Sequence, residues 1–204
     1  MKNRKRNRMQ GFDYSTDNLY FVTICVKDRV CCLGAVVDVG AGRDLSVPNI
    51  NELDIIMNSD EFIKKMELNE FGKIVKNQIE WLAEQYKYVD VHNFVIMPNH
   101  VHMVIEIDKK KLTVGTGRDK IKEGTARKLS VQDNEIKIKS LSSLIGAFKT
   151  TSSKMMHHAG FADFAWQRSF HDHIIRNERS YQNISNYIDL NPEKWMADTF
   201  FEKH

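Results

Sequence analysis

Cysteine is scarce in this chain, long apolar runs are missing, and the first ten residues contain no acid. Cys25, Cys31 and Cys32, the only cysteines in 204 residues, form neither a C-x-x-C pair nor a spaced framework. That excludes a disulfide scaffold, and they read as thiols of a reducing cytoplasm. No run approaches the length needed to span a bilayer, and the N-terminus has no apolar signal core, so a cytoplasmic protein without a membrane partner is expected. The net charge is only +3, yet Lys2, Arg4, Lys5, Arg6 and Arg8 crowd the start of the chain. Such an arm suits a polyanion, nucleic acid first, and suits a solvated terminus equally well.

What is present is enough sequence to bury a real core. Tyr20 to Val26 is aromatic and β-branched and apolar on both faces, which predicts a first strand in the middle of a sheet. From Gly34 to about Asp60 glycines, Pro48 and Asn/Asp residues break any period, predicting an inserted loop. Phe71, Val75, Ile79, Leu82 and Tyr86 then recur at helical spacing behind an Asn69 cap. A second insertion covers about 108–139, where Val114 to Asp119 echoes Val39 to Asp44; both insertions are expected at the surface, as loops or short hairpins. Leu141, Leu144, Ile145, Phe148 and Met155 mark a second helix whose other face carries Lys149, Thr150, Ser153 and Lys154. A further strand is expected at His171 to Arg176. A third helix follows from about Glu178 to Leu190, buried through Tyr181, Ile184 and Ile188 and ended by Pro192.

The strand, helix, two-strand, helix, strand order predicts an α+β fold: a ferredoxin-like antiparallel sheet with two helices on one face. The centre of the pattern is the run from Phe94 to Ile107. Pro98-Asn99 is a turn signal between two apolar strands, a β-hairpin. Alternation then puts Val101, Met103, Ile105 and Ile107 on the core side and His100 and His102 on the other, which is expected to lie open for a ligand. Imidazoles two residues apart on a strand stand about 7 Å apart at the backbone, so their tips can converge on one ion or phosphate. On spacing alone, though, a bare His-x-His is more often a pair of half-buried structural histidines.

A metal held by two histidines needs a further ligand and an open position. Tyr187 and Asn191, four residues apart, lie on one face of the last helix and could arrive beside the pair. Tyr187 also fits a core edge, and Asn191 before Pro192 fits an N-cap. His171 and His173 flank Asp172, which favours DNA contact or structural hydrogen bonding over a second metal. His92 reads as structural with no ligand set nearby. Tyr181 is a rival nucleophile without the Asn-Pro that follows Tyr187.

His100-Val101-His102 after Met97-Pro98-Asn99, followed by Tyr187-Ile188-Asp189-Leu190-Asn191-Pro192-Glu193-Lys194-Trp195, resembles the single-tyrosine HUH transposases, in particular the REP-associated tyrosine transposase branch. Gly11 to Ser15, Tyr20 to Thr23, Phe148-Lys149 and Trp166 to Arg176 resemble further blocks of that family in their order. The resemblance implies one HUH transposase-like domain over residues 1–204, with a basic arm over 1–12, inserted loops and a C-terminal helix carrying the nucleophile. It implies a DNA transposase that cleaves and rejoins single-stranded or hairpin DNA through a 5′-phosphotyrosine on Tyr187. Mg²⁺ or Mn²⁺ would sit on His100 and His102, with Asn191 in the position that often completes the metal shell in relatives.

DNA contacts would come from Arg4, Lys5, Arg6 and Arg8 of the arm, from Lys149 and Lys154, and from Arg168, His173 and Arg176. Trp166 or Phe170 could stack on unpaired bases, or lie in the core. Related proteins include monomers and homodimers, so both remain open. Two other classes fit the same residues: a nucleic-acid-binding module that does not cut, and a metal-dependent phosphoesterase that uses water.

Overall fold

The computed structural model describes residues 9, 11–40, 63–112 and 137–201. The arm residues Arg4, Lys5, Arg6 and Arg8, and most of both echo segments, lie outside the described residues. The order is β1 (Asn18–Cys25), β2 (Gly34–Val39), β3 (Ile63–Leu68), α1 (Glu70–Gln85), β4 (Val89–Ile96), β5 (His100–Ile107), α2 (Leu141–His158), β6 (His171–Ile175) and α3 (Glu178–Asp189). One antiparallel sheet runs β4-β5-β1-β6, and β2 pairs with β3 in a separate ribbon. Taken without the ribbon, β1-α1-β4-β5-α2-β6 is the ferredoxin-like α+β arrangement.

The pleat decides what each strand contributes to the core. Tyr20, Val22 and Ile24 of β1 and Val101, Met103, Ile105 and Ile107 of β5 are fully buried and belong to the main core. Each such side chain contributes roughly 1.5–3 kcal/mol of transfer free energy. The helices close that core with their own apolar stripes: Val75, Ile79 and Leu82 from α1, and Leu144, Ile145, Phe148 and Met156 from α2. Both begin at side-chain caps, Asn69 accepting from Gly72 N and Ser140 from Ser143 N, which satisfies an orphan helix N–H. Met155, expected in the stripe, is about half exposed; Met156 takes its place.

The insertion from Gly34, expected as a loop or short hairpin, opens as a strand that pairs with Ile63–Leu68 residue for residue. One expectation is corrected: the sheet face opposite α1 and α2 is not open. There α3 packs Ile188, with Tyr181 and Ile184, against Val104, Ile175, Leu19, Phe21 and Val95. Asn93 Nδ2 ties β4 to this helix by donating to Asp189 Oδ1 at 2.9 Å. A register shift between Val91 and Asn93 makes His92 the extra residue of a bulge on β4.

Candidate active site

The His-bearing strand starts at a turn that is locked from several sides. Pro98 O accepts from Cys32 N and Leu33 N, and Asn99 O from Val26 N. Asn99 is fully buried, and its Nδ2 donates to Arg29 O at 3.1 Å and Phe200 O at 2.9 Å. With both amide protons committed to carbonyls, Oδ1 is the atom facing His100 Nδ1 at 2.8 Å. His100 therefore donates from Nδ1, and its Nε2 carries the lone pair. Arg29 reaches this position through a turn in which Asp28 and Arg29 both have φ of 54°, a left-handed backbone uncommon outside glycine.

His102 is built the same way from the other neighbour. Thr23, its register partner on β1, places Oγ1 2.8 Å from His102 Nδ1. The two Nε2 atoms then lie 3.0 Å apart. Phe21 stacks on the His102 ring at 5.3 Å, Phe200 lies 4.6 Å from the His100 ring and Trp195 6.0 Å. The imidazoles are 0% and 1% exposed, and burial, the main cause, pushes both down to about 3. Arg29 beside His100 acts in the same direction, as does His100 on His102; Asp198 opposes it at His102. Both rings are neutral at pH 7, the state in which imidazole is a ligand.

The last helix brings Tyr187 to the pair. Its hydroxyl lies 3.2 Å from His102 Nε2, its ring meets Phe21 edge-on at 6.1 Å, and the side chain keeps 40% of its surface exposed. Burial and then Asp198 raise the phenol pKa, while a hydrogen bond from Asn191 lowers it. Asn191 is 1% exposed, with Nδ2 3.3 Å from Asp198 Oδ2 and, among the described residues, no hydrogen-bond partner for Oδ1.

The donor set fits a divalent ion. An octahedral ion with bonds of about 2.1 Å places neighbouring ligand atoms about 3.0 Å apart, and the Nε2 atoms stand at that distance. His100, His102 and Asp198 each offer a ligand atom, all within 4.8 Å of one another. Two imidazoles and one carboxylate with open positions are a known divalent-metal set.

Asp198 was missed in the sequence because it follows a short turn, Trp195–Ala197, where no period points at a site. Thr23, Asn99 and Phe21 carry only strand and turn signals in the sequence.

The remaining candidates lie elsewhere. Lys149, Lys154, Trp166 and Arg168 line a groove of about 730 Å³ beside the C-terminal half of α2. Lys154 and Arg168 are exposed, whereas Lys149 Nζ donates to Gln167 O and Ser169 O. The stacking expectation for Trp166 is corrected. It is 8% exposed, donates from Nε1 to Ser152 Oγ and packs on Phe148 and Phe164, so no ring face is free for a base. Phe170 is likewise buried.

His173 and Arg176 are exposed along β6, opposite Phe21 and just past Leu19's partner, and line a second hollow with Asn177. Tyr181 packs against His92, away from the His100 and His102 pair. His92 has ligand-type neighbours after all, Asp90 and Glu106, with Lys111 ion-paired to both carboxylates.

No protein-family model matches the chain. An uncharacterised protein of Haemophilus influenzae is 27% identical over 202 residues, covering 97% of this chain and 93% of that one. A solved REP-associated tyrosine transposase bound to a REP hairpin is 16% identical with a TM-score of 0.45, over 96% of this chain and 74% of that chain. A protein of Deinococcus radiodurans designated a transposase is 13% identical with a TM-score of 0.42, over 89% and 95%. Among the described residues no helix is long and apolar enough to cross a membrane.

Proposed function

We propose that this chain is a metal-dependent DNA strand transferase, a transposase-like enzyme acting on single-stranded or hairpin DNA with Tyr187 as nucleophile. The observation that carries this reading is the approach of the Tyr187 hydroxyl to 3.2 Å from His102 Nε2, itself 3.0 Å from His100 Nε2. A phenol and two neutral imidazoles from distant parts of the chain converge on one point. The ordered sequence blocks shared with single-tyrosine HUH transposases support it independently.

His100 and His102 would hold Mg²⁺ or Mn²⁺ through Nε2. The bound ion supplies positive charge that polarises a phosphodiester oxygen and favours phenolate at neutral pH. Asn99 keeps the His100 lone pair aimed inward and Thr23 holds the His102 ring by its Nδ1, so little ring movement is left for the reacting state. Tyr187, exposed on one side, receives the strand. The phenol proton passes to solvent and the phenol oxygen bonds to phosphorus as the bond to the 3′-oxygen breaks; the 3′-oxygen leaves with the electron pair and takes up a proton from water. The products are a 5′-phosphotyrosine and a free 3′-hydroxyl. The ester retains the energy of the broken linkage, so an incoming 3′-hydroxyl can displace Tyr187 without a nucleotide cofactor. Lys154 and Arg168 in the groove beside α2, and the basic arm, would hold phosphates outside the reacting centre.

The test is covalent capture. Wild-type protein with Mn²⁺ and a labelled single-stranded hairpin should give an adduct that survives denaturing electrophoresis, and Tyr187→Phe should give none. Product release without an adduct would instead favour a water-using phosphoesterase. Salt-sensitive binding without cleavage would favour a binding module.

A further inference from the structure

The histidine pair and Tyr187 leave the coordination shell incomplete, and two side chains compete to fill it. Asn191 lies in the turn just past the end of α3, four residues after Tyr187, and its amide nitrogen is turned to Asp198 Oδ2. Asp198 belongs to the segment after α3, at the end of the Trp195–Ala197 turn. Its Oδ1 accepts from Phe200 N at 2.7 Å, which fixes the carboxylate, while among the described residues Oδ2 accepts the long 3.3 Å bond from Asn191. A carboxylate is the stronger ligand for a hard divalent ion, since it brings charge as well as a lone pair.

Resting on the reading above, we propose that Asp198 is the third protein ligand of the metal, and that Asn191 positions it. Three features of the structure point there. Asp198 offers a carboxylate oxygen within 4.8 Å of both imidazole ligand atoms. The Nε2 atoms face each other at 3.0 Å. With a lone pair fixed on His100, the contact is an N–H···N hydrogen bond from His102 in the metal-free chain, and the same separation suits two nitrogens bound to one ion. Finally, Asn191 Oδ1 is buried without a partner while Nδ2 faces Asp198, an orientation suited to steering a carboxylate.

The same segment roofs the pair. Trp195 and Phe200 lie against the His100 ring, and Phe200 O receives the Asn99 amide. Ligation by Asp198 therefore fastens the chain end across the histidines. The shell so formed is two nitrogens and one carboxylate, with its remaining positions free for Tyr187 and a phosphodiester oxygen.

The experiment is calorimetric titration of the full-length chain with Mn²⁺, and with Mg²⁺ in parallel, for wild type, Asp198→Asn, Asn191→Ala and His102→Ala. Asp198→Asn keeps the shape and an acceptor for Phe200 N, and thermal unfolding in EDTA verifies that it folds. The expected result is a loss of at least tenfold in Mn²⁺ affinity for Asp198→Asn, close to that of His102→Ala, against a few-fold loss for Asn191→Ala. The Mn²⁺ electron paramagnetic resonance spectrum should change in Asp198→Asn even at saturation. Affinity within twofold of wild type in Asp198→Asn, or a greater loss in Asn191→Ala, overturns the assignment. Wild type that takes up no Mn²⁺ overturns it together with the metal part of the proposed function. Metal binding that behaves as expected beside an absent DNA adduct leaves the ligand standing and removes only the reaction.

Discussion

Asn99 Oδ1 accepts from His100 Nδ1 at 2.8 Å while the Asn99 amide protons go to the carbonyls of Arg29 and Phe200. One side chain thus fixes a tautomer and joins the hairpin turn to two remote segments. Asn99→Ala should leave three groups short of a partner, one buried and two half-buried, and cost about 2–4 kcal/mol of stability, read as a lower urea midpoint. It should also weaken Mn²⁺ binding, since a ligating histidine without its outer partner typically loses 10–100-fold in affinity. An unchanged midpoint would show that the turn holds without this link.

Thr23 makes the matching contact to His102 Nδ1. Thr23→Val has nearly the same volume but leaves the buried His102 Nδ1 without a partner, so the fold should lose about 1–3 kcal/mol. Mn²⁺ affinity should fall by roughly 10–100-fold. Thr23→Ser, which restores the oxygen, should recover most of it. Equal affinities for the valine and serine variants would mean that the hydroxyl does not set the ring.

Much of the framework was readable in the residues. The Asn69 cap and the apolar period behind it placed α1, and the alternation from Val101 to Ile107 placed β5 with its faces correctly assigned. The β2–β3 ribbon was not readable, because six-residue strands separated by a long insertion leave no local signal of their pairing. The roof over His100 was not readable either. Trp195, Asp198 and Phe200 follow a short irregular turn, and only tertiary packing brings them back to the hairpin. For Tyr187, sequence showed which face of α3 it occupies. Its distance from His102 depends on how Ile188 docks against Val104 and Ile175, which no single-chain pattern encodes.

Burial of neutral His100 and His102 makes the metal-free protein acid-sensitive. Their pKa values fall to about 3 in the folded chain against about 6.5 when unfolded. Between those values the unfolded state binds more protons, so stability falls as pH drops through that window. The limiting slope is about 1.4 kcal/mol per pH unit for each ring. Urea unfolding in EDTA from pH 7 to pH 5, above most carboxylate titration, should show the decline, and His100→Ala/His102→Ala should flatten it. A level profile in wild type would contradict the burial.

Gly72 is a packing requirement. A Cβ there would stand 2.1 Å from Leu33 O and 3.0 Å from Leu68 Cδ2, and Leu33 N donates to Pro98 O. Alanine favours a helix over glycine by about 1 kcal/mol, but the clash with a backbone oxygen is the larger effect. Gly72→Ala should therefore destabilise by about 1–3 kcal/mol and disturb the hairpin turn through Leu33. A stabilised variant in denaturant titration would show that α1 can move away without cost.

The groove beside α2 carries the last prediction, because it separates phosphate contact from structural charge. Lys154 and Arg168 are exposed at its lining, whereas Lys149 is engaged with two backbone carbonyls and lies over the Phe170 ring. Each phosphate contact on a single strand adds about 0.7 to the slope of log affinity against log salt. In a Tyr187→Phe background, which removes the proposed nucleophile, Lys154→Gln/Arg168→Gln should lower that slope by about 1.4 with little change in thermal stability. Lys149→Gln should lower stability as well, since Gln167 O and Ser169 O lose their donor. Anisotropy of a labelled hairpin between low and moderate salt measures the slopes. If the double variant keeps the wild-type slope, the strand does not pass through this groove and the phosphate contacts lie on another face.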